Sequence, residues 1–110
     1  MKAIVSLSVI LFLSGTAHAA DIDAGRAKVQ SVCAACHVAA GVSVSDAIPN
    51  LAGQKAAYVE SQLKALKDGS RKNPIMNAMA GQLNNDDIAN VAAFFASQPG
   101  ATVEIGRAHV

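Results

Sequence analysis

Cysteine and histidine are scarce in this 110-residue chain, which has two cysteines and three histidines. Two of the histidines lie near the chain ends, so a tetrahedral zinc site with about four nitrogen or sulfur ligands is hard to complete. Charge of one sign is also lacking, because the formal net charge is only +1. Nothing therefore indicates a nucleic-acid-binding protein. No run of β-branched residues suggests a sheet, and no internal repeat is present.

The five residues Cys33-Ala34-Ala35-Cys36-His37 form the motif C-x-x-C-H, which is the attachment signature of a c-type haem. Two thiols three positions apart can each add to one vinyl group of a porphyrin, and the adjacent imidazole can then ligate the iron. A thioredoxin-like dithiol would lie in a βαβ pattern, and no predicted strand precedes Cys33. A plain structural disulfide between Cys33 and Cys36 is the remaining alternative.

The amino terminus has the pattern of a secretory signal peptide. Met1-Lys2 is a short basic start, residues 3–13 are apolar, and Ala17-His18-Ala19 is an A-x-A cleavage site. The apolar run is shorter than the ~20 residues that a membrane-spanning helix needs. We therefore predict a signal peptide at residues 1–19, cut after Ala19, and a periplasmic protein.

The carboxyl terminus, Glu104–Val110, reads as a translation of a widely used short-read sequencing adapter. We expect these seven residues to be a library artefact and the domain to span residues 20–103. A native codon run for the same residues, read from source DNA, would refute this expectation. Residues 21–103 contain equal numbers of basic and acidic side chains, so the predicted domain is neutral before any cofactor is added.

Three main helices and no sheet are predicted, over Ala24–Val32, Lys55–Lys67 and Asn85–Ser97. Asp23 and Asn84 are the predicted N-caps of the first and third helices, and Gly69 is the predicted stop of the second. Residues 41–53 and 70–82 are rich in Gly, Pro, Asn and Ser and are predicted to be loops.

Gly25 lies inside the predicted first helix, where glycine costs about 1 kcal/mol relative to alanine. Two interpretations remain open at this point. The glycine is either tolerated there, or it permits close packing against Phe94 or Phe95 of the last helix.

A haem iron has a second axial position, and the predicted domain has no further histidine or cysteine to fill it. Its only methionines are Met76 and Met79, which lie in the polar stretch Asn73-Pro74-Ile75-Met76-Asn77-Ala78-Met79. A thioether suits a stable iron site and raises its reduction potential. Methionine is more often core filler than a ligand, but a core role is less natural in a polar loop. The residues alone leave both methionines as candidates.

The chain resembles the class I cytochromes c, either the small bacterial periplasmic type with one haem or one half of a tandem two-haem cytochrome c. The resemblance covers residues 24–98. The residues that carry it are Gly25, the haem motif, Pro49-Asn50-Leu51-Ala52-Gly53-Gln54, Tyr58 with Gln62 and Leu63, the Met76 stretch, and Ala92-Ala93-Phe94-Phe95-Ala96-Ser97-Gln98.

The resemblance implies an all-α class I cytochrome c fold, with three main helices and loops wrapped around one haem c held through Cys33 and Cys36. It implies that His37 and Met76 ligate the iron and that Met79 lines the haem crevice. It also implies that Pro49 offers its carbonyl to the histidine and that Gly25 packs against an aromatic ring. Val38 departs from the pattern, because these relatives usually carry glycine after the histidine.

A haem with two protein ligands has no open position for a substrate, which favours an electron carrier over an enzyme. Two other functions stay open: a haem-bearing domain of a larger redox protein, and a ligand-binding or peroxidase-like haem protein with weak methionine ligation. The expected partners are periplasmic or membrane-bound redox proteins. Four basic residues either form a docking rim for such a partner or are simply a solvated helix end: Lys64, Lys67, Arg71 and Lys72.

Overall fold

The computed structural model describes residues 19–100, and all regular structure in that range is helical. The predicted all-α class is therefore confirmed. Apart from Ala19, the predicted signal peptide lies outside the described residues, as does the predicted tail at 104–110. The elements follow in the order α1 (Ile22–Lys28), a π-helical turn (Val29–Cys33), α2 (Ala34–His37), α3 (Ala56–Asp68), α4 (Pro74–Gly81) and α5 (Asn85–Ser97).

The prediction for the first helix is wrong in two details. One detail is the residue that caps its start. Asp21, not Asp23, is the N-cap of α1, and its side chain accepts a hydrogen bond from the Ala24 N–H at 3.0 Å. Asp23 lies in the first turn and pairs with Arg26 at 2.6 Å. Either aspartate could cap a helix, and a tertiary contact distinguishes them: the Asp21 N–H donates to the Asn90 side chain of α5 at 2.8 Å.

The second difference is that the helix does not continue as one α-helix but widens into a π turn. The Ala34 N–H donates to the Val29 carbonyl, five residues back. In a continuous α-helix Val29 and His37, eight residues apart, would diverge by about 80° around the axis. A π turn takes more residues per turn and offsets that divergence. Val29 thus lies in the core while His37, 7 % exposed, is buried at the site described below.

The second and third predicted helices are present with small shifts or none. Helix α3 runs one residue later than predicted, and Gly69 ends it in the left-handed region with φ of 82°. Helix α5 spans the predicted residues. Asn84 caps it through a reciprocal pair of hydrogen bonds with Asp87, at 2.8 and 3.0 Å.

The second predicted loop is wrong for part of its length, because residues 74–81 form helix α4. Asn73 is its N-cap and accepts a hydrogen bond from the Met76 N–H at 3.1 Å. Pro74 occupies the first helical position, where its missing N–H costs nothing. The residues that suggested a loop are therefore also the ones that start this helix.

The core joins α5 to the π turn and α1. Val29, Val91, Phe94 and Phe95 form its buried centre. Gly25 is buried, and a Cβ placed on it would lie 2.6 Å from the carbonyl carbon of Asn90 and 3.1 Å from the Phe94 Cβ. The close-packing interpretation of Gly25 is therefore confirmed, with Phe94 and the α5 backbone as its partners. No helix within residues 19–100 is long and apolar enough to cross a membrane.

Candidate haem-binding site

A cavity of about 670 Å³ opens between the π turn, α2, the loop after it, and helices α3, α4 and α5. This volume lies within the range of about 300–1,000 Å³ that is typical of ligand pockets. The structure brings every predicted site residue to its wall: Cys33, Cys36, His37, Pro49, Met76 and Met79. Residues that lie up to 46 positions apart in the sequence thus face one space.

His37 is buried at the end of α2, and its ring is oriented by the loop that follows. Its Nδ1 atom lies 3.0 Å from the carbonyl oxygen of Pro49. A carbonyl can only accept, so Nδ1 carries the proton and donates it. The lone pair of the neutral ring is then on Nε2, which is the form that ligates a metal. A hydrogen bond from Nδ1 fixes the orientation of the imidazole and raises the basicity of Nε2 as a ligand.

Both cysteines are free thiols, so the alternative of a disulfide between them is not what the structure contains. Cys33 is half-buried and packs against the core cluster of Val29, Val91, Phe94 and Phe95. Burial raises the pKa of the Cys33 thiol to about 11, so this thiol is neutral at physiological pH. Cys36 is exposed. Both cysteines line the cavity, which is required if both thiols are to bond to one haem.

Met76 and Met79 lie three residues apart on α4, and residues at this spacing share one face of a helix. Both are half-buried and both line the cavity. Their sulfur atoms differ in surroundings. The Gln82 side-chain N–H contacts the Met79 sulfur at 3.6 Å, whereas the Met76 sulfur accepts no hydrogen bond from any residue in 19–100.

The remaining wall is mainly apolar, with one cationic side chain. Leucine, valine and phenylalanine side chains from α3, α5 and the adjoining turns form it, among them Leu63, Leu66, Leu83, Val91 and Phe95. Of the lysines and arginines in residues 19–100, only Arg71 lines the cavity. Its Nη1 donates to the Gln62 side-chain oxygen at 2.9 Å.

These features fit a haem group. An apolar wall suits the flat porphyrin, and a guanidinium suits the carboxylates of its two propionates. The two thiols, the imidazole with a free Nε2 and the thioethers supply the bonds that a c-type haem needs. Sequence reasoning had grouped Arg71 only with the basic residues at the surface. The sequence signal that could have placed Arg71 at the site is its position two residues before Asn73-Pro74, where the methionine-bearing helix α4 starts.

The basic group is engaged in local contacts for the most part. The Lys67 ammonium donates to the Leu83 carbonyl, and the Lys64 ammonium lies 3.7 Å from the Glu60 carboxylate. Arg71 is bound to Gln62 as described. The Lys72 ammonium is among the groups that lower the pKa of Asp68, after the hydrogen bonds from Ser70. The docking rim therefore stays a hypothesis.

Val38, the first residue after His37, has a strained backbone. Its φ is 65° and its ψ is 146°, and it is the one residue other than glycine with positive φ among residues 19–100. A β-branched side chain is a genuine outlier in this part of conformational space, which suits glycine. The glycine that the resemblance implies at this position would relieve this strain. The strain does not displace the His37 ring, which keeps its bond to the Pro49 carbonyl.

Comparison with known proteins gives one family. The model of the family described as "Cytochrome C oxidase, cbb3-type, subunit III" matches residues 20–95. The chain therefore belongs to this family and is a class I c-type cytochrome domain, whose members hold haem c covalently.

Two of the relatives are cytochromes c by name. The chain is 46 % identical over 98 residues to cytochrome c4 of Pseudomonas aeruginosa, covering 88 % of this chain and 48 % of that protein. It is 43 % identical over 83 residues to cytochrome c-554(548) of Halomonas halodenitrificans, covering 73 % of this chain and 99 % of that protein.

Among solved structures, reduced recombinant cytochrome c4 from Pseudomonas stutzeri matches with a TM-score of 0.70 and 39 % identity, covering 76 % of this chain and 48 % of that one. The predicted class I cytochrome c fold is confirmed by this match. The chain spans about half the length of the cytochromes c4 and nearly the whole of cytochrome c-554(548).

Proposed function

We propose that this chain is a periplasmic electron carrier with one haem c, held through Cys33 and Cys36 and ligated by His37 and Met76. The observation that carries the proposal is the convergence of these four side chains on one apolar cavity. The imidazole presents Nε2 because Nδ1 is bound to Pro49. When bound, the haem supplies a one-electron Fe(II)/Fe(III) couple.

Each residue has a separate task in this proposal. Cys33 and Cys36 would hold the porphyrin through two thioether bonds, one formed by the addition of each S–H across a vinyl group. His37 and Met76 would both ligate the iron, which would leave no position for a substrate and favours electron transfer over catalysis. The leucine, valine and phenylalanine wall excludes water. Met79 would line the haem crevice, and its sulfur is already in contact with the Gln82 side chain.

Mass spectrometry of the attachment peptide tests the proposal. The chain with its own amino terminus is produced in a host that has the cytochrome c assembly machinery, together with Cys33→Ala, Cys36→Ala and the control Ser31→Ala. Ser31 also lines the cavity but carries no thiol. We expect a haem adduct on residues 33–37 in the wild type and the control, and one thioether at most in each cysteine variant. An unmodified wild-type peptide would refute the proposal.

The periplasmic location rests on the pattern of residues 1–19. Bacteria attach haem to C-x-x-C-H outside the cytoplasmic membrane, so the two inferences support each other. The purified protein should begin at Ala20 and be released by osmotic shock. A protein that retains Met1 and stays in the cytoplasmic fraction would contradict both cleavage and export.

The partners in this proposal are redox proteins, as donor and acceptor. Lys64 is the appropriate residue for testing the docking rim, because its ammonium is at the surface and its one ion pair within residues 19–100 is with Glu60. Lys67 is less suitable, since its ammonium also holds the Leu83 carbonyl. Lys64→Glu should slow electron transfer and flatten its dependence on ionic strength. Unchanged rates at low salt would leave the basic group as an ordinary solvated helix end.

One observation favours a second candidate, a haem domain of a larger redox protein. The chain covers 48 % of the P. aeruginosa cytochrome c4, so a two-haem carrier or a cytochrome fused to a catalytic module is consistent with the match. Reading the gene beyond Val103 from source DNA discriminates between the two. A second C-x-x-C-H or a catalytic domain would favour the larger protein, and a stop codon shortly after residue 103 would favour the small carrier.

A further inference from the structure

The side-chain amide of Asn77 joins three segments next to Met76. Its Nδ2 donates to the carbonyl of Leu66 near the end of α3 at 2.7 Å, and to the carbonyl of Arg71 in the following loop at 2.9 Å. Its Oδ1 accepts from the Asn73 N–H at 2.9 Å. Both hydrogens and the oxygen of one half-buried amide are therefore in use.

These bonds complete a reciprocal arrangement around the first turn of α4. Asn73 caps the helix by accepting from the Met76 N–H, and its carbonyl accepts from the Asn77 N–H at 2.7 Å. Asn77 in turn holds the Asn73 N–H. The turn that carries Met76 is thus closed on itself, and the two donated bonds of Asn77 attach it to α3.

Asn77 does not line the cavity, whereas Met76 on one side of it does. Any effect of Asn77 on the haem must therefore act through the placement of its neighbour. Asparagine is also a poor residue for a helix interior, because its side chain competes with the backbone for hydrogen bonds. Here the competing groups are backbone carbonyls outside α4, which explains how the residue is accommodated.

We propose that Asn77 is the positioning residue that holds the Met76 thioether on the haem iron, by fastening the first turn of α4 to the end of α3. The inference rests on the proposed function, in which Met76 is the second axial ligand. Loss of the two donated bonds lets the methionine helix move away from α3 and exposes the iron to external ligands more often.

The test measures how easily imidazole displaces the thioether in the haem-loaded ferric protein. Two variants are compared with the wild type. Asn77→Ala removes all three bonds, and Asn77→Asp keeps the acceptor for Asn73 but removes both donors. The control is Asn90→Ala, which removes a side-chain bond to Asp21 on the far side of α5, away from the cavity.

We expect both Asn77 variants to bind imidazole about tenfold more tightly than the wild type, which corresponds to about 1.4 kcal/mol. The thioether-to-iron charge-transfer band should be weaker in both Asn77 variants than in the wild type. The imidazole affinity of Asn90→Ala should stay within about twofold of the wild-type value. Global unfolding is measured in parallel, so that a variant that is merely less stable is recognised.

The possible outcomes separate the inference from the proposed function. A wild-type protein without the charge-transfer band would refute methionine ligation, and the inference would fall with it. A wild-type band that persists in both Asn77 variants, with unchanged imidazole affinity and reduced global stability, would overturn the inference alone. In that case the bonds of Asn77 would serve only to stabilise the start of α4 against α3.

Discussion

Gly25 of α1 lies directly against the backbone carbonyl of Asn90 in α5, and the Phe94 Cβ, one turn further along α5, lies against the same side of the glycine. The two helices approach so closely that an added methyl group would overlap a peptide unit. Because backbone cannot move aside as a flexible side chain can, the helices themselves would have to separate.

Gly25→Ala should therefore destabilise the haem-loaded protein by about 1–3 kcal/mol, although alanine is the better helix former. Gly81→Ala is the matched control, since nothing lies within 4 Å of a Cβ at Gly81 in the last turn of α4. That control should gain up to about 1 kcal/mol. Denaturant unfolding measures both, and a stabilised Gly25→Ala would contradict the packing described.

Val38→Gly should stabilise the protein, because it relieves a positive φ at a β-branched residue. Such strain costs about 1–3 kcal/mol, which the substitution removes. The extra freedom of glycine in the unfolded chain offsets about 0.5–1 kcal/mol of this stabilisation. Val42→Gly, in the same loop and without positive φ, should instead lose stability. Thermal unfolding of the two variants should move in opposite directions. Equal shifts would mean that Val38 is not strained.

Met76→Ala should abolish the far-red thioether-to-iron charge-transfer band, lower the reduction potential and let the ferrous protein bind carbon monoxide. Met79→Ala should keep the band and cost mainly packing, up to about 2–5 kcal/mol for a fully buried side chain and less for this half-buried one. Absorption spectra and redox titration of both variants decide the matter. A band that survives in Met76→Ala and vanishes in Met79→Ala would exchange the two roles.

Arg71→Gln should lower the reduction potential by an amount on the order of tens of millivolts, because a cation in the cavity wall disfavours the more positive ferric state. Lys72→Gln removes the same charge from a residue outside the cavity wall and should have a smaller effect, since solvent screens it. Potentials measured at one ionic strength compare the two. An equal shift in both variants would mean that Arg71 acts only through net charge.

Much of the site could be predicted from the sequence because its chemistry is local. The haem motif places two thiols and an imidazole within five residues, and the scarcity of other ligands left only two methionines. Helix α5 was predicted to its ends because Asn84 and Asp87 provide a cap within four residues of sequence.

What the sequence did not reveal depends either on an ambiguous local signal or on contacts between distant segments. Helix α4 was missed because Asn73 and Pro74 are typical of both loops and helix starts. The choice of Asp21 over Asp23 depends on Asn90, which lies 69 residues away. The three hydrogen bonds of Asn77 reach segments whose approach only the folded chain defines.

The π turn between α1 and α2 has a consequence for protein design. A haem motif grafted onto a regular α-helix of another protein would point its histidine away from the side that the preceding residues bury. The transferable unit in this chain is therefore longer than the five-residue motif and begins at Val29, where the wide turn starts. Deleting one residue within Val29–Cys33 would instead leave Val29 and His37 seven residues apart, and a regular α-helix would then place the two within about 20° of one face.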